Sequence, residues 1–365
     1  MQSAHLKTHT GDPATRVWGL DAARGIAVVG MLLLHGLAPN ELASVPLLAT
    51  LAGENRPQML FAVIDGVCLG LLSGHEKERS AARRGIVVRA VALVALGLYL
   101  SSLNSGVVII LDYYGIYFIL ATPLLFLHRR TLLATSVVLA LAGHGLVDFV
   151  FWFIGGVNAY FALPPIFHQP LEWLLFGPYP AATWLSYVLL GLWAQRAGLL
   201  SPRRNTLRVA CALMVALCAG AAKSFTALAP WMQATLVDLA AGAAAISVVW
   251  TSVYVFEYVS RHVPTLVIRA SVCLGVVPLS SYVLHVMLLA CVAAAGGVSS
   301  TRSIETYVLI SVACVSFALI AATSRVRGPI EAGVAWLASS AARGRGPARC
   351  PAGSPVGVTL PHCPR

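Results

Sequence analysis

Long apolar stretches alternate with short basic ones along this chain, and that alternation leaves few folds open. Ten apolar stretches fall near residues 19–38, 58–73, 86–103, 106–127, 131–154, 179–195, 208–222, 234–258, 271–296 and 305–324. Most approach the ~20 residues an α-helix needs to cross a hydrocarbon core, with the second and seventh short. A segment in hydrocarbon must satisfy its backbone polar groups internally, so stretches of this kind read as spanning helices. The expected fold class is all-α, a polytopic transmembrane helical bundle of about ten spans. Composition agrees: 58% of residues are hydrophobic, 11% are charged, and mean hydropathy is +0.80, against roughly 25% charged in ordinary soluble chains.

The charges in the loops orient the bundle. HEKERSAARR (75–84) with Arg89, the pair Arg129 and Arg130, RAGLLSPRRNTLR (196–208), the segment from Arg261 to Arg269, and Arg325 with Arg327 all follow even-numbered stretches. The alternate loops carry Arg56, Lys223 and Arg302. Basic loops stay on the cytoplasmic side, so both termini are expected there. The net charge of +11 is spread over these short clusters and forms no binding stripe, which argues against a nucleic-acid partner.

Residues 1–15 are polar, carry Lys7, and read as a cytoplasmic tail. A signal peptide is the competing reading, because the apolar run after Arg24 is short and LAPNELAS offers small residues; the many later spans do not require one. The membrane domain then covers 16–327. Within 328–365, EAGVAWLASSA (331–341) is too short to span and reads as an amphipathic interfacial helix. From Ala342 the Arg, Gly and Pro content predicts a disordered cytoplasmic tail. The Pro- and aromatic-rich loop at 155–177 is the largest outward segment, suited to covering a pocket or carrying a short interfacial helix. No fixed-period repeat and no phosphate-binding GxxxxGK[ST] pattern occurs.

Of the eight cysteines, Cys68, Cys211, Cys218, Cys273, Cys291 and Cys314 sit in apolar runs, and Cys350 and Cys363 in the tail. Without a CxxC spacing, buried free thiols explain the first six better than a disulfide framework or a metal site.

A charge in hydrocarbon costs at least a few kcal/mol, so each ionisable residue within a span needs a cavity or a partner. Asp21 and Arg24, one turn apart, read as a pair at the cytoplasmic edge, with a phosphate as an alternative partner for Arg24. His35 closes the first stretch at its outer end, and Arg56 stands just outside the second. Asp65 lies mid-helix, Asp112 precedes Tyr113 and Tyr114 near the outer end of the fourth, and His144 and Asp148 sit in the outer half of the fifth. Asp238 lies in the outer half of the eighth. His285 lies past the middle of the ninth, with Ser281 one turn earlier on the same face. Nearly all fall in the outer half, as a polar cavity opening outward requires. Each also has a structural reading. His35 fits an interfacial histidine, Arg56 a snorkelling anchor, Asp112 with its tyrosines a hydrogen-bond network, and His285 a satisfied core histidine. His144, Asp148 and Asp238 fit helix-to-helix contacts.

The opening GLDAARGIAVVGMLLLH resembles the first helix of bacterial membrane proteins related to heparan-alpha-glucosaminide N-acetyltransferase, within the wider transmembrane acyltransferase superfamily. LFAVIDGVCLGLLSG, DYYGIYFILATPLL, GPYPAATWLSYVLLGL and PLSSYVLHVMLL are similar as well, so the resemblance runs from Arg16 through the tenth stretch. It implies a bundle that takes an acyl group, acetyl above all, from cytosolic acyl-CoA and passes it to a hydroxyl or amine of a saccharide or envelope precursor on the other side. The setting would be a bacterial inner membrane, and the animal relatives suggest a dimer. In the animal enzyme a histidine in the loop before the second helix is catalytic. Here that stretch reads LAGENRPQM, with Glu54 and Asn55 but no histidine, and His35 is the nearest substitute.

On this reading a neutral His35 acts as general base or takes the acyl group itself, a contribution of about 10²–10⁴-fold. Asp112 or Asp65 orients its ring, and Arg56 or Tyr113 donates to the oxyanion. Tyr114, His285 and Ser281 complete the acceptor side. Arg24, Arg83, Arg84 and Arg89 attract the CoA phosphates, and no metal is called for. The acyl arm must then thread the bundle, so a deep cytosol-connected tunnel is required. A transporter using Asp65, Asp112 and His285 as a proton relay is the alternative, and would show alternating access around repeated halves. A non-catalytic envelope-assembly protein is the third reading.

Overall fold

The computed structural model describes residues 17–45, 48, 52–75, 79–198, 213, 229–259, 261–324 and 326–343. Among them the regular structure is entirely helical. The principal helices are α1 (Trp18–Gly36), α2 (Arg56–His75), α3 (Arg79–Ser101), α4 (Leu111–Ala121), α5 (Arg129–Phe153), α6 (Ala181–Arg196), α7 (Pro230–Val259), α8 (Pro278–Gly296), α9 (Ile304–Thr323) and α10 (Pro329–Arg343). Seven of these, α1, α2, α3, α5, α7, α8 and α9, are long and apolar enough to cross a membrane. The seventh apolar stretch (208–222), the tail at 1–15, Lys223, Arg325, Cys211, Cys218, Cys350, Cys363 and the segment from 344 onward lie outside the described residues.

The fourth apolar stretch departs from expectation. Read as a span over 106–127, it is helical over Leu111–Ala121 and continues as a 3-10 turn over Thr122–Leu124. Eleven residues rise about 16 Å, roughly half a hydrocarbon core. Pro123 has no N–H to continue the helix. Before α4, Asn104 and Gly106 adopt positive φ (50° and 77°), which breaks the chain out of α3. The segment leading into α4 is covered by protein only in part: Ser105, Ile109 and Ile110 are buried while Asn104, Gly106 and Val108 are exposed, and the Ile110 N–H donates to the Tyr282 hydroxyl at 3.4 Å. α6, at 16 residues, is also shorter than a simple span.

α6 is the hub, packed between α2 and α5 and touching α4 and α7. Lipid tails are as apolar as leucine, so association rests on close contact between helices rather than on expelling water. α2 and α6 run parallel with their backbones nearly touching. A Cβ at Gly66 would collide with the Val188 carbonyl, and one at Gly191 with the Val63 carbonyl. Val63, Ile64, Val188, Leu189 and Leu192 fill the seam and are fully buried. α5 lies at the periphery, with Val138, Leu141, Phe149, Trp152 and Phe153 exposed, a surface suited to acyl chains.

The segment read as an interfacial helix is α10. It packs on α3 with Ala338 fully buried facing Gly85, while Trp336 and Leu337 stay exposed. Arg84 ties down its last turn by donating to the Ala341 and Ala342 carbonyls, each at 3.3 Å, which otherwise lack intrahelical partners. At its other end Glu331 accepts from the Ser280 N–H at 2.9 Å and from the Ser280 hydroxyl, and the Ile330 N–H returns a bond to that hydroxyl. The first turns of α8 and α10 thus cap each other.

The seam between α2 and α6 gives a direct test. Gly66→Val or Gly191→Val should lower thermal stability in detergent, each by at least the ~1–3 kcal/mol typical of overpacking. Gly74→Ala, where an added Cβ meets nothing within 4 Å, should leave it within about 0.5 kcal/mol.

Candidate active site

Two cavities and one buried imidazole pair gather most of the polar residues of the bundle. The first cavity, of about 180 Å³, lies between α1, α2, α3, α4, α8 and α10. Arg24, Arg89, Asp65, Tyr114, Met31 and Tyr282 are among its lining residues, and the helix rise puts Arg24 about two turns before Met31 on α1 and Pro278 about one turn before Tyr282 on α8. Its basic end is built by α1 and α2: Arg24 Nη1 pairs with Asp21 Oδ1 at 2.8 Å, the expected one-turn pair, and Nη2 lies 2.6 Å from Cys68 Sγ. Asp65 is close enough for its charge to act on Arg24. A carboxylate in mid-helix therefore has a cation across the cavity, as its position demands.

Beyond Tyr282 sits the imidazole pair. The Tyr282 ring meets the His285 ring edge-on, with centroids 4.9 Å apart. His285 in turn stacks on His35 at 5.3 Å, with His35 Nδ1 3.1 Å from His285 Nε2. Both histidines are buried, at 6% and 1% exposure. α1 and α8 run in the same direction, so the end of one and the first turns of the other come level. Arg302, just before α9, is near enough for its charge to act on His35. The partner expected for His35 was a carboxylate, Asp112 or Asp65; the structure supplies His285 instead.

Asp112 is held elsewhere. It enters α4 against Gly97 of α3, where a Cβ would strike the Asp112 backbone, and Trp173 Nε1 donates to its Oδ2 at 2.7 Å. Its Oδ1, like the Ser281 hydroxyl, is buried and has no hydrogen-bond partner among the described residues. Trp173 belongs to a π-helical turn, Glu172–Phe176, in the long loop after α5; such turns recur at functional sites. The loop also carries the short helices Val157–Ala162 and His168–Leu171, so it both covers the bundle and contains helix. Tyr113 packs edge-on against Tyr179, and Tyr114 donates to the Gln58 carbonyl at 2.7 Å.

The second cavity, about 440 Å³, lies under this loop between α2, α5, α6 and α7. Asn55, His144, Asp148, Asp238, Phe151, Phe176 and Trp184 line it. His144 Nε2 lies 2.9 Å from Asp238 Oδ2 and ties α5 to α7, the helix-to-helix contact the sequence suggested. Arg56 opens α2 beside Asn55 and is half-buried.

The four candidate phosphate-binding arginines separate into two groups. Arg24 and Arg89 line the first cavity. Arg83 lies over the Phe126 ring at 5.4 Å, and Arg84 caps α10. Three contributors escaped the sequence reading. Trp173 and Glu331 reach their partners from loops and ends far away in sequence, and Arg302 was counted as one charge in an outer loop. The signal that could have marked Trp173 is its place in the long aromatic loop. Among the described residues no group of three or more His, Cys, Asp or Glu is arranged to hold a metal ion.

Apolar helices of spanning length, with a cavity among them that Arg24, Asp65 and Arg89 help to line, define a multi-pass membrane protein. The heparan-alpha-glucosaminide N-acetyltransferase catalytic family model matches residues 16–219, more than half of the chain, and the protein belongs to that family. Helices and family together point to a membrane acetyltransferase-type protein. No curated protein and no solved structure matches the chain.

The Trp173–Asp112 bond can be tested by a double-mutant cycle. Trp173→Phe should destabilise the protein by about 1–3 kcal/mol through the carboxylate it leaves unpaired. The same change should cost measurably less in an Asp112→Leu background, with thermal unfolding in detergent as the readout.

Proposed function

We propose that the protein transfers an acyl group, acetyl above all, from cytosolic acyl-CoA to a hydroxyl or amine of a saccharide-type envelope precursor on the opposite face of a bacterial inner membrane. The observation that carries this reading is the first cavity, which runs from Arg24 and Arg89 to Tyr282, one ring short of the His35–His285 pair. Its basic end lies with the loops rich in Lys and Arg, so that end faces the cytoplasm on the positive-inside rule, with both termini and about ten spans as the topology. The membrane unit is residues 16–327, with a tail before it and α10 plus a cytoplasmic tail after it.

In this scheme the CoA phosphates sit at the mouth on Arg24 and Arg89, where guanidinium groups make strong charge-assisted bonds. About 180 Å³ holds the acyl end and part of the pantetheine arm, since whole-ligand pockets run to roughly 300–1,000 Å³. A turn of the Tyr282 ring lets the thioester reach His35. The acceptor O–H or N–H then gives its proton to His35 as its oxygen or nitrogen bonds to the thioester carbonyl carbon. The C–S bond breaks, and the imidazolium returns the proton to the departing CoA sulfur. In this scheme Arg302, before α9, supplies the positive charge that stabilises the oxyanion of the intermediate. The transport reading has less support, because its supposed relay is divided among separate partners: Asp65 on the cavity, Asp112 on Trp173, His285 on His35.

Acetyl-CoA binding and turnover by the purified protein in nanodiscs decide between these readings. Arg89→Gln or Arg24→Gln should weaken binding about 10-fold or more, the loss expected of one charge-assisted contact. His35→Ala should keep binding and lose turnover by about 100-fold or more. Folded protein that binds neither acetyl-CoA nor longer acyl-CoAs would refute the transferase reading.

A further inference from the structure

We propose that the cavity under the long loop is the upper part of a glycolipid-binding site, with the sugar in that cavity and one lipid chain in an apolar trough below it between α5, α6 and α7. That the sugar is the acyl acceptor rests on the acyl-transfer reading; that the glycolipid binds does not.

The argument starts on α5. Leu133, Val137 and Ala140 line a hollow of about 280 Å³, while His144, Asp148 and Phe151 line the cavity of about 440 Å³. These six recur every three or four residues, so they form one stripe along a single helix face. α6 repeats the pattern, from Trp184 in the cavity to Tyr187, Leu190 and Trp193 in the trough. α7 lends Asp238 to both walls and then Gly242 and Ile246 to the trough. The two hollows are therefore consecutive parts of one furrow that meet at Asp238. From His144 down to Leu133 the helix rises about 16 Å, roughly half of a ~30 Å hydrocarbon core. That is the depth of one leaflet and the reach of one lipid chain. Together the hollows fall within the roughly 300–1,000 Å³ of whole-ligand pockets.

The chemistry changes along the furrow. In the trough the Ser136 hydroxyl donates to the Ser186 carbonyl at 2.8 Å and the Tyr187 hydroxyl to the Asp238 carbonyl at 3.1 Å. These hydroxyls are committed to the walls, so the trough offers its occupant an almost wholly apolar surface. Under the loop, Asn55, Asp148 and Asp238 stand beside the rings of Phe151, Phe176 and Trp184. Carboxylates accept from hydroxyl and ammonium groups, the side-chain amide both donates and accepts, and the rings give apolar faces for the C–H side of a sugar. Asp148 is exposed and has no hydrogen-bond or ion-pair partner among the described residues, so its oxygens are open to a ligand. No Lys or Arg lines either hollow, and two carboxylates repel a phosphate. A sugar joined directly to its lipid fits this wall; a phospholipid does not. α5 lies at the edge of the bundle, which gives the lipid a way in from the leaflet.

The experiment uses the full-length protein in phosphatidylcholine nanodiscs and dodecyl glucosaminide carrying a diazirine at the end of its chain. Irradiation and peptide mass spectrometry should find adducts on Leu133, Val137 and Ile246. Unlabelled dodecyl glucosaminide should displace them, and neither phosphatidylglycerol nor free glucosamine at the same concentration should. Ala140→Phe, which fills the trough, and Asp148→Ala, which removes a charged acceptor, should each lower labelling by about 10-fold. Val138→Phe, on the exposed side of α5, should leave labelling unchanged, and thermal unfolding confirms that each variant is folded. Labelling that unlabelled glycolipid does not displace, that phosphatidylglycerol displaces equally well, or that persists in folded Ala140→Phe overturns the proposal. With acetyl-CoA added, an acetylated glucosaminide upholds the site and its role as acceptor site together. Specific labelling in a protein that turns over no acyl-CoA upholds the glycolipid site and refutes the transferase function instead.

Discussion

A polar side chain inside an apolar bundle must find another polar group or cost several kcal/mol, and the arrangement of this protein follows from how those pairs are made. His35 finds His285, Asp112 finds Trp173, His144 finds Asp238, and Ser280 finds Glu331. Each pair joins elements distant in sequence, so each fixes a helix register that apolar packing alone leaves free. Leucine and valine seams tolerate sliding far better than a buried hydrogen bond does. Close helix contacts through Gly66, Gly191 and Gly97 then bring the backbones near enough for these short side chains to meet.

The His35–His285 contact also explains why the two parts of the chain need each other. The family match covers residues 16–219 and includes His35, Asp65, Asp112 and the four arginines. His285, Tyr282 and Glu331 lie beyond it. The cavity wall is completed by α8 and α10 from this second part, so the site exists only when both are folded together. α10 contributes through Val334 at the mouth and through the mutual cap with Ser280, which holds the start of the helix that carries His285.

Much of this was legible in the sequence. Hydropathy located the helices because a spanning helix needs a long apolar run, and the Asp21–Arg24 spacing foretold its ion pair because residues one turn apart share a helix face. A buried polar interior followed from the number of ionisable residues within apolar runs. The limits have physical causes too. Hydropathy reports what a segment can tolerate around it, so it cannot separate a helix from an apolar irregular stretch such as 106–110, and α4 is shorter than expected. Pairing across 250 residues leaves no local signature, so His35 was assigned a carboxylate partner by analogy with common catalytic sites. Arg83 and Arg84 resembled phosphate ligands by charge alone, whereas their directions, toward Phe126 and the end of α10, depend on tertiary packing.

The most direct test of the account is to map where an acyl chain travels. An acyl-CoA with a photoreactive group at the end of its acyl chain, irradiated with the protein in nanodiscs and followed by peptide mass spectrometry, reports the residues beside that end. The account predicts adducts on Met31, Ile110, Leu111 and Tyr282, competed away by acetyl-CoA. Adducts confined to the cavity under the long loop, around Phe151, Phe176 and Trp184, or labelling that acetyl-CoA does not displace, would contradict it.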